Sequence, residues 1–147
     1  MPELRAGAFD VVSCHAAASS CDVVMGIGGA FRVAPDEVMI VGARGTAAGL
    51  VGRVAEVVDT HAVVIDATDG WTAWGLGGAG SRLAFSYLSA LELPEEGFVQ
   101  GEVANLPAKV IAGDDEVHIL VPAMLGDEMR RRIVARCGHL ALTVAAS

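Results

Sequence analysis

Basic and aromatic side chains are scarce in this chain of 147 residues. Lysine and arginine together number 10 against 18 acidic residues, which gives a net charge of −8. The single lysine is Lys109, and the basic cluster Arg130–Arg132 lies on a predicted helix, where a solvated face is favoured over a docking role. Nucleic-acid binding is therefore disfavoured, because it requires a basic surface.

Cysteines and long apolar runs are also few. The three cysteines, Cys14, Cys21 and Cys137, are too few and odd in number for a disulfide framework, so we expect free thiols. No apolar run reaches the roughly 18 residues that a membrane span requires. The start of the chain has no apolar signal-peptide segment. We therefore expect a cytoplasmic protein that does not contact a membrane.

What the chain has in abundance is apolar residues. Hydrophobic residues make up 53% and charged residues 19%, and the mean hydropathy is +0.51. This composition predicts one folded domain with a sizeable core and argues against disorder. The apolar excess also favours a surface that a partner protein covers, the alternative being a core rich in alanine and valine.

Residues 31–66 and 110–145 are two copies of one unit, offset by 79 positions. The alignment matches Asp36-Glu37-Val38 with Asp115-Glu116-Val117. It also places Leu50, Val54 and Val58 on Met129, Ile133 and Cys137, which is one helix stripe in both copies. A repeat of this kind predicts a duplicated scaffold with a shared core and a pseudo-two-fold. It does not indicate a catalytic site.

Periodicity and turn residues predict the order ββαβ, βα, ββαβ. Residues 1–21 have no periodicity and are predicted to be an N-terminal arm, while 23–33 read as a strand in which Gly26 and Gly28-Gly29 indicate a bulge or a close backbone approach. Thr46 is the expected N-cap of the first long helix. The helix after Gly80 is expected to pack through Leu83, Tyr87, Leu88 and Leu91. The fold class is α+β, a mainly antiparallel sheet with helices on one side.

Two glycine and cysteine patterns suggest specific sites. Gly75–Gly80 matches G-x-G-x-x-G between a strand and a helix, but no strand ending in an acidic residue follows that helix. A close-packing turn is therefore favoured over a nucleotide site. Cys14, His15 and Cys21 could bind a metal with His61, His118 or His139, but their spacing matches no established zinc pattern and no metal site is predicted.

The remaining chemistry-bearing residues favour structural roles. Asp66 and Asp69 could form an acid–base pair, but their spacing across a turn suits turn formation better. His118 alternates with apolar neighbours on a strand, so we expect it to face solvent or an interface. Trp71 and Trp74 are three apart on a predicted strand and so point to opposite faces, which makes one of them a candidate for a partner-covered face. No catalytic residue is predicted.

Two stretches resemble the sarcosine oxidase gamma subunit family. Residues 31–43, FRVAPDEVMIVGA, are similar to that family's strand–turn–strand, and residues 62–93 to its acidic turn, strand and glycine-led helix. Gly97 to Pro122, with EVHILVP, looks like its closing hairpin and strand. The family belongs with the folate-handling domains of the glycine-cleavage T-protein and the tRNA-modifying GTPase TrmE. The resemblance implies that residues 22–147 form a single domain of that type.

The resemblance also implies a function. We expect a non-catalytic, gamma-like small subunit of a heteromeric flavin-dependent oxidoreductase acting on sarcosine or a related N-methyl amine or amino acid. It would stabilise a large folate-handling subunit, with FAD or FMN and tetrahydrofolate in the complex and no cofactor bound by this chain alone. The alternatives are a homodimeric tetrahydrofolate-binding module and a small transferase of the T-protein type. The candidate interface residues are Trp71, Trp74, Asp66, Asp69 and Arg82.

Overall fold

The computed structural model describes residues 1–145, which form two compact units. Unit 1 contains Met1–Gly7 and the chain from Gly70 onward, and unit 2 is Ala8–Asp69. The fold class is α+β, as the sequence predicted: antiparallel strands predominate and helices pack against them. Within residues 1–145, no helix is long and apolar enough to cross a membrane.

The strands and helices are numbered along the chain. The strands are β1 (Glu3–Ala6), β2 (Phe9–His15), β3 (Ala30–Ala34), β4 (Glu37–Ala43), β5 (Val63–Asp66), β6 (Trp71–Gly77), β7 (Gly97–Val103), β8 (Leu106–Ala112), β9 (Glu116–Pro122) and β10 (Thr143–Val144). The α-helices are α1 (Ala18–Val24), α2 (Ala47–Ala55), α3 (Ser81–Ser86) and α4 (Gly126–Cys137).

Unit 2 is a βαββαβ motif, β2-α1-β3-β4-α2-β5, with the sheet order β3-β4-β2-β5. All three strand pairings are antiparallel, which is the ferredoxin-like arrangement. Val12, Cys14, Val38 and Ile40 point to the helix-covered face of the sheet, and Val11, Met39 and Val41, which alternate with them, are buried as well. The core under the helices contains Val12, Cys14, Cys21, Val24, Val38, Ile40, Ala47, Leu50 and Val54.

Aspartates that are distant in sequence cap both helices of unit 2. Asp10 is buried, and its Oδ2 accepts hydrogen bonds from the backbone N–H groups of Gly45 (2.9 Å) and Ala47 (3.0 Å) at the start of α2. Asp59 Oδ1 accepts hydrogen bonds from the Ala17 N–H and the Ser20 hydroxyl at the start of α1, at 3.1 and 2.8 Å. These bonds lower the pKa of Asp59. The Thr46 side chain makes no cap bond, so Asp10 has the capping role predicted for Thr46.

Unit 1 contains the same motif with two additional strands. Its counterpart is β6-α3-β8-β9-α4-β10, and its sheet order is β10-β1-β6-β9-β8-β7. Strand β1 lies between β6 and β10 and pairs parallel with β10, while β7 extends the opposite edge. The helix-covered core is formed by Leu4, Leu76, Ala84, Phe85, Leu88, Val103, Ala104, Leu106, Ala108, Val110, Val117, Ile119, Val121, Met129, Ile133 and Cys137.

The repeat predicted from sequence is present in the element order. Adding 79 to Glu37–Ala43 gives Glu116–Pro122, and the helices α2 and α4 begin at Ala47 and Gly126. Leu50 and Val54 are buried in α2, and their counterparts Met129 and Ile133 are buried in α4. Each unit has its own hydrophobic cluster between its sheet and its helices, and the predicted core shared by the two copies stays a prediction.

Four local predictions are also wrong. Residues 1–21 are not an arm, because they form β1, β2 and part of α1, and the predicted boundary at residue 22 falls inside that helix. Residues 23–29 are not strand, since β3 begins at Ala30. In α3 the side chains of Leu83 and Tyr87 are exposed, because the helix packs through Ser81, Ala84 and Phe85 instead. Leu88 and Leu91, which follow the helix, pack against the core as predicted. The strands form two sheets rather than one.

Gly29 makes a close backbone approach, which is one of the two possibilities that its sequence context indicated. Its φ is +83°, and a Cβ atom added there would lie 2.3 Å from the Val41 carbonyl oxygen. Gly49, inside α2, has open space around the corresponding position. The two glycines therefore respond in opposite ways to the same substitution.

We expect Gly29→Ala to lower the free energy of unfolding by about 2–4 kcal/mol, through left-handed strain and displacement of Val41. Gly49→Ala should raise it by about 0.5–1 kcal/mol, because alanine loses less backbone entropy in a helix. Urea unfolding followed by circular dichroism measures both. Equal effects of the two substitutions would contradict the described packing of Gly29.

Candidate functional site

Strand β6 directs its two tryptophans to opposite faces of the unit 1 sheet, as their spacing predicted. The indole N–H of Trp74 donates a 2.8 Å hydrogen bond to the carbonyl oxygen of Gly126, and its ring packs against the unit 1 core. Thr72, on the same face, lies so close to α4 that a Cβ atom on Gly126 would be 2.8 Å from its methyl group. The hydrogen bond from Trp74 therefore holds the first residue of α4 against the sheet.

Trp71 lies on the other face and lines an open cavity of about 480 Å³. The floor is apolar where Trp71 pairs with Pro122 across β6 and β9. On the neighbouring strands, Glu102 of β7 pairs with Pro107 of β8. Neither proline has a backbone N–H, so the strand pairings lack a hydrogen-bond donor at these two positions. The result is an aromatic and proline surface beside a carboxylate.

The rim of this cavity is polar. Lys109 Nζ donates a hydrogen bond to Gln100 Oε1 at 2.5 Å, across β8 and β7. Glu102 is exposed beside them. A half-buried tryptophan with an apolar floor and a polar rim is the usual composition of a protein-binding surface. We call the set Trp71, Gln100, Glu102, Pro107, Lys109 and Pro122 the Trp71 surface.

The other candidate interface residues already have intramolecular roles. The Arg82 guanidinium donates to the carbonyl oxygens of Glu95 (2.7 Å) and Gly113 (2.9 Å), so it ties two loops to α3. Asp66 Oδ1 accepts a hydrogen bond from the Thr68 N–H at 3.1 Å. Hydrogen bonds from the side chain and backbone of Thr68 lower the pKa of Asp66, whereas a general acid requires a raised one. Asp69 is exposed in the turn Thr68–Gly70.

The glycine-rich segment 75–80 is a packing turn, as favoured from the sequence. Gly78 and Gly80 both have φ of +86°, and the Gly78 N–H donates to the Asp115 carbonyl oxygen at 2.9 Å. Strand β6 is antiparallel to both of its neighbours, unlike the strand of a dinucleotide-binding unit. This segment therefore does not fit the phosphates of a flavin nucleotide or of another dinucleotide, and we assign it no cofactor.

The cysteines and histidines do not assemble around one point. Cys14, Cys21 and Cys137 are buried free thiols, and burial raises the pKa of Cys14 and Cys137. Residues 1–145 contain no group of three or more His, Cys, Asp or Glu that could hold a metal ion. The His118 side chain is 18% exposed and lies over Gly75, so of the two predicted settings, solvent or an interface, it does not have the first.

Sequence analysis gave no signal for a second, polar cleft in unit 1. This cleft of about 640 Å³ lies where the end of α3 meets the β7–β8 turn, and it is lined by Ser86, Tyr87, Ser89, Glu102, Asn105 and Arg136 among others. Tyr87 stacks edge-on against His139, with ring centroids 4.6 Å apart. Ala104 and Asn105 both have positive φ, and this tight turn brings Asn105 to the cleft. These residues are distant in sequence and come together only in the folded chain.

We expect the two tryptophans to differ in their contribution to the stability of the fold and in their accessibility to solvent. Trp74→Phe should lower the free energy of unfolding by about 1–2 kcal/mol, because it removes the bond to Gly126 and leaves a packing defect. Trp71→Phe, its matched control, should change it by less than about 0.5 kcal/mol. The fluorescence of Trp74→Phe comes from Trp71, and the fluorescence of Trp71→Phe comes from Trp74. Iodide should quench the first more strongly than the second. The reverse order would contradict this assignment.

Comparison with known proteins gives matches in structure and none in sequence. No protein-family profile and no curated protein matches the chain. A chain of the heterotetrameric sarcosine oxidase of Corynebacterium sp. U-96, solved with pyrrole 2-carboxylate, is similar with a TM-score of 0.79 and 15% identity. The match covers 98% of this chain and 86% of that one. The two folds thus correspond over most of both chains.

Two further structures share the fold less completely. The aminomethyltransferase T of the glycine cleavage system of Bartonella henselae matches with a TM-score of 0.68 and 12% identity, covering 98% of this chain and 47% of that protein. The regulatory subunit of aspartate kinase from Thermus thermophilus matches with a TM-score of 0.50 and 8% identity. The chain thus spans about half of the aminomethyltransferase, and its fold is that of a sarcosine oxidase chain and of an aminomethyltransferase segment.

Proposed function

We propose that this chain is a non-catalytic, gamma-like small subunit of a heteromeric flavin-dependent oxidoreductase in the cytoplasm. The substrate class would be sarcosine or a related N-methyl amine or amino acid. The observation that carries the proposal is the likeness to a chain of a heterotetrameric sarcosine oxidase over 98% and 86% of the two chains. A likeness over most of both chains supports a subunit role more strongly than a shared motif would.

The Trp71 surface supports a subunit role. Protein–protein interfaces are commonly centred on an aromatic residue in an apolar setting with a polar rim, and this surface provides both. Trp74, Asp66 and Arg82 are engaged within the chain, so Trp71 is the better anchor among the five predicted residues. The flavin and tetrahydrofolate of the complex would belong to the large subunit, which this chain would stabilise by covering one of its surfaces.

The test is affinity purification of the tagged chain from its own host cell. We expect stoichiometric larger chains with flavin absorbance and with oxidase activity on N-methyl amines. Trp71→Asp should weaken the association about 30-fold, since loss of a buried aromatic anchor costs about 2 kcal/mol. Tyr87→Asp, another change at a partly exposed aromatic of unit 1, is the matched control and should leave it unchanged. Recovery of the chain without any flavoprotein would contradict the proposal.

A second candidate function is a homodimeric tetrahydrofolate-binding module or a small transferase of the T-protein type. The match to aminomethyltransferase T and the polar cleft favour it. The cleft has the volume of a small-molecule site, and Arg136 could pair with a carboxylate of the folate tail.

For this candidate we expect binding of a reduced folate in isothermal titration, weakened about tenfold or more by Arg136→Ala because a charge-assisted pair is lost. Arg130→Ala, at an exposed arginine on the same helix and outside the cleft lining, is the control. Absence of heat with every reduced folate would exclude both the binding module and the transferase, since each requires the folate to bind.

A further inference from the structure

Strand β5 is an apolar edge of the unit 2 sheet. It pairs with β2 on one side and is the last strand of the order β3-β4-β2-β5. The side chains of Val63 and Ile65 are 54% and 48% exposed, whereas Val64 packs against the core. Natural edge strands usually carry charges, proline or a bulge that prevents further pairing. Along β5 the first charged residue is Asp66, at its end.

The backbone of β5 presents hydrogen-bonding groups at this edge. The Ala67 N–H donates to the Val11 carbonyl oxygen at 2.8 Å, so the odd-numbered residues of this segment face β2. Backbone groups alternate in direction along an antiparallel strand. The N–H and C=O groups of Val64 and Asp66 therefore point away from the sheet, in the plane where a further strand would pair.

One side of helix α2 lies above the same edge and carries small side chains, and we call this side the smooth flank. It packs over β2 and β5, and its side bearing Gly49 and Arg53 lines a cavity with Gly42 and Ala43 at the end of β4. Since β4 lies on the far side of β2 from β5, the opposite side of α2 faces the β5 edge. By helical periodicity, that side is formed by Ala48, Val51, Gly52 and Ala55. Side chains this small allow another helix to approach closely.

We infer that a second copy of this chain pairs with β5 in antiparallel orientation, about a two-fold axis at Val64. In this register each Val64 exchanges two N–H···O bonds with Val64 of the second copy. Val63 lies opposite Ile65 of the second copy, and Ile65 opposite its Val63, so the exposed side chains cover one another. The two four-stranded sheets join into one of eight strands, and the smooth flanks of the two α2 helices meet on one face.

The symmetry of the register selects a second copy as the occupant. An isologous interface must be self-complementary, and Val63-Val64-Ile65 is apolar at every position that meets its own counterpart. Asp66 lies opposite Ala62 of the second copy, so no like charges face each other in the ladder. Each chain carries a net charge of −8, so general repulsion opposes association. The dimer should therefore be tighter in higher salt, which screens this repulsion.

The first test is the mass of the intact chain in solution by light scattering and sedimentation. We expect a dimer at about 100 µM that dissociates on dilution, as mass action requires. Ile65→Lys should shift it to monomer, with at least about tenfold weaker association. Val23→Lys is the matched control, because Val23 is 56% exposed on α1 of the same unit. A monomer at every concentration, or equal effects of the two substitutions, would overturn the inference.

The second test reads the register by oxidative cross-linking. Val64→Cys should form a disulfide between the two copies, because directly opposite residues have Cα atoms about 5.5 Å apart. Val63→Cys should not, since its counterpart in the second copy lies two positions away along the ladder. Because Cys14 lies directly opposite Val64 across β2 and β5, both variants are made in a Cys14→Ala chain, in which the buried Cys21 and Cys137 give the background. Cross-linking of Val63→Cys as efficient as that of Val64→Cys would overturn the proposed pairing.

The inference is independent of the proposed oxidoreductase role. Ile65→Lys should abolish self-association and leave co-purification of a flavin-containing partner unchanged, whereas Trp71→Asp should do the reverse. If Ile65→Lys also released that partner, β5 would be a contact for the partner rather than for a second copy, and the inference would fail while the subunit role remained supported.

Discussion

The pairing of β6 with β1 and β9 is the constraint on which the arrangement of unit 1 depends. It fixes the two faces of β6, so that Trp74 can bond to Gly126 and hold α4 while Trp71 points to the open cavity. It also sets His118 over Gly75, a position that tolerates no side chain without displacing the imidazole ring. The core below and the surface above β6 are therefore consequences of one register.

Sequence periodicity was sufficient for the repeated part of the fold. The strand before each long helix and the buried stripe along it were readable, because both depend on local alternation of apolar and polar residues. The prediction that Trp71 and Trp74 point to opposite faces followed from the same alternation of side chains along a strand. The glycines at 28–29 indicated a bulge or a close backbone approach, and the structure has the close approach at Gly29, where φ is +83°.

Other features depended on contacts between distant residues. Asp10 and Asp59 accept hydrogen bonds from backbone N–H groups at helix starts 37 and 42 positions away, so no local window indicates their role. Residues 1–21 looked like an arm because the partners that make β1 and β2 inner strands are remote in sequence. The buried face of α3 was misjudged because tertiary packing selected Ala84 and Phe85 over the larger exposed pair Leu83 and Tyr87. The polar cleft could not be predicted for the same reason, since tertiary packing brings its lining residues together from distant parts of the sequence.

The interrupted layout of unit 1 has a consequence for biosynthesis. Glu3 pairs with Thr143, so the six-stranded sheet cannot close until residues near position 143 have left the ribosome. All strands and helices of unit 2 lie between positions 8 and 69, so that unit can assemble while translation continues. Until its neighbouring strands have been synthesised, β1 is unpaired and the side chain of Leu4 is exposed to solvent. Closing so long a loop is entropically costly, and this late step is where chaperones would be expected to bind the nascent chain.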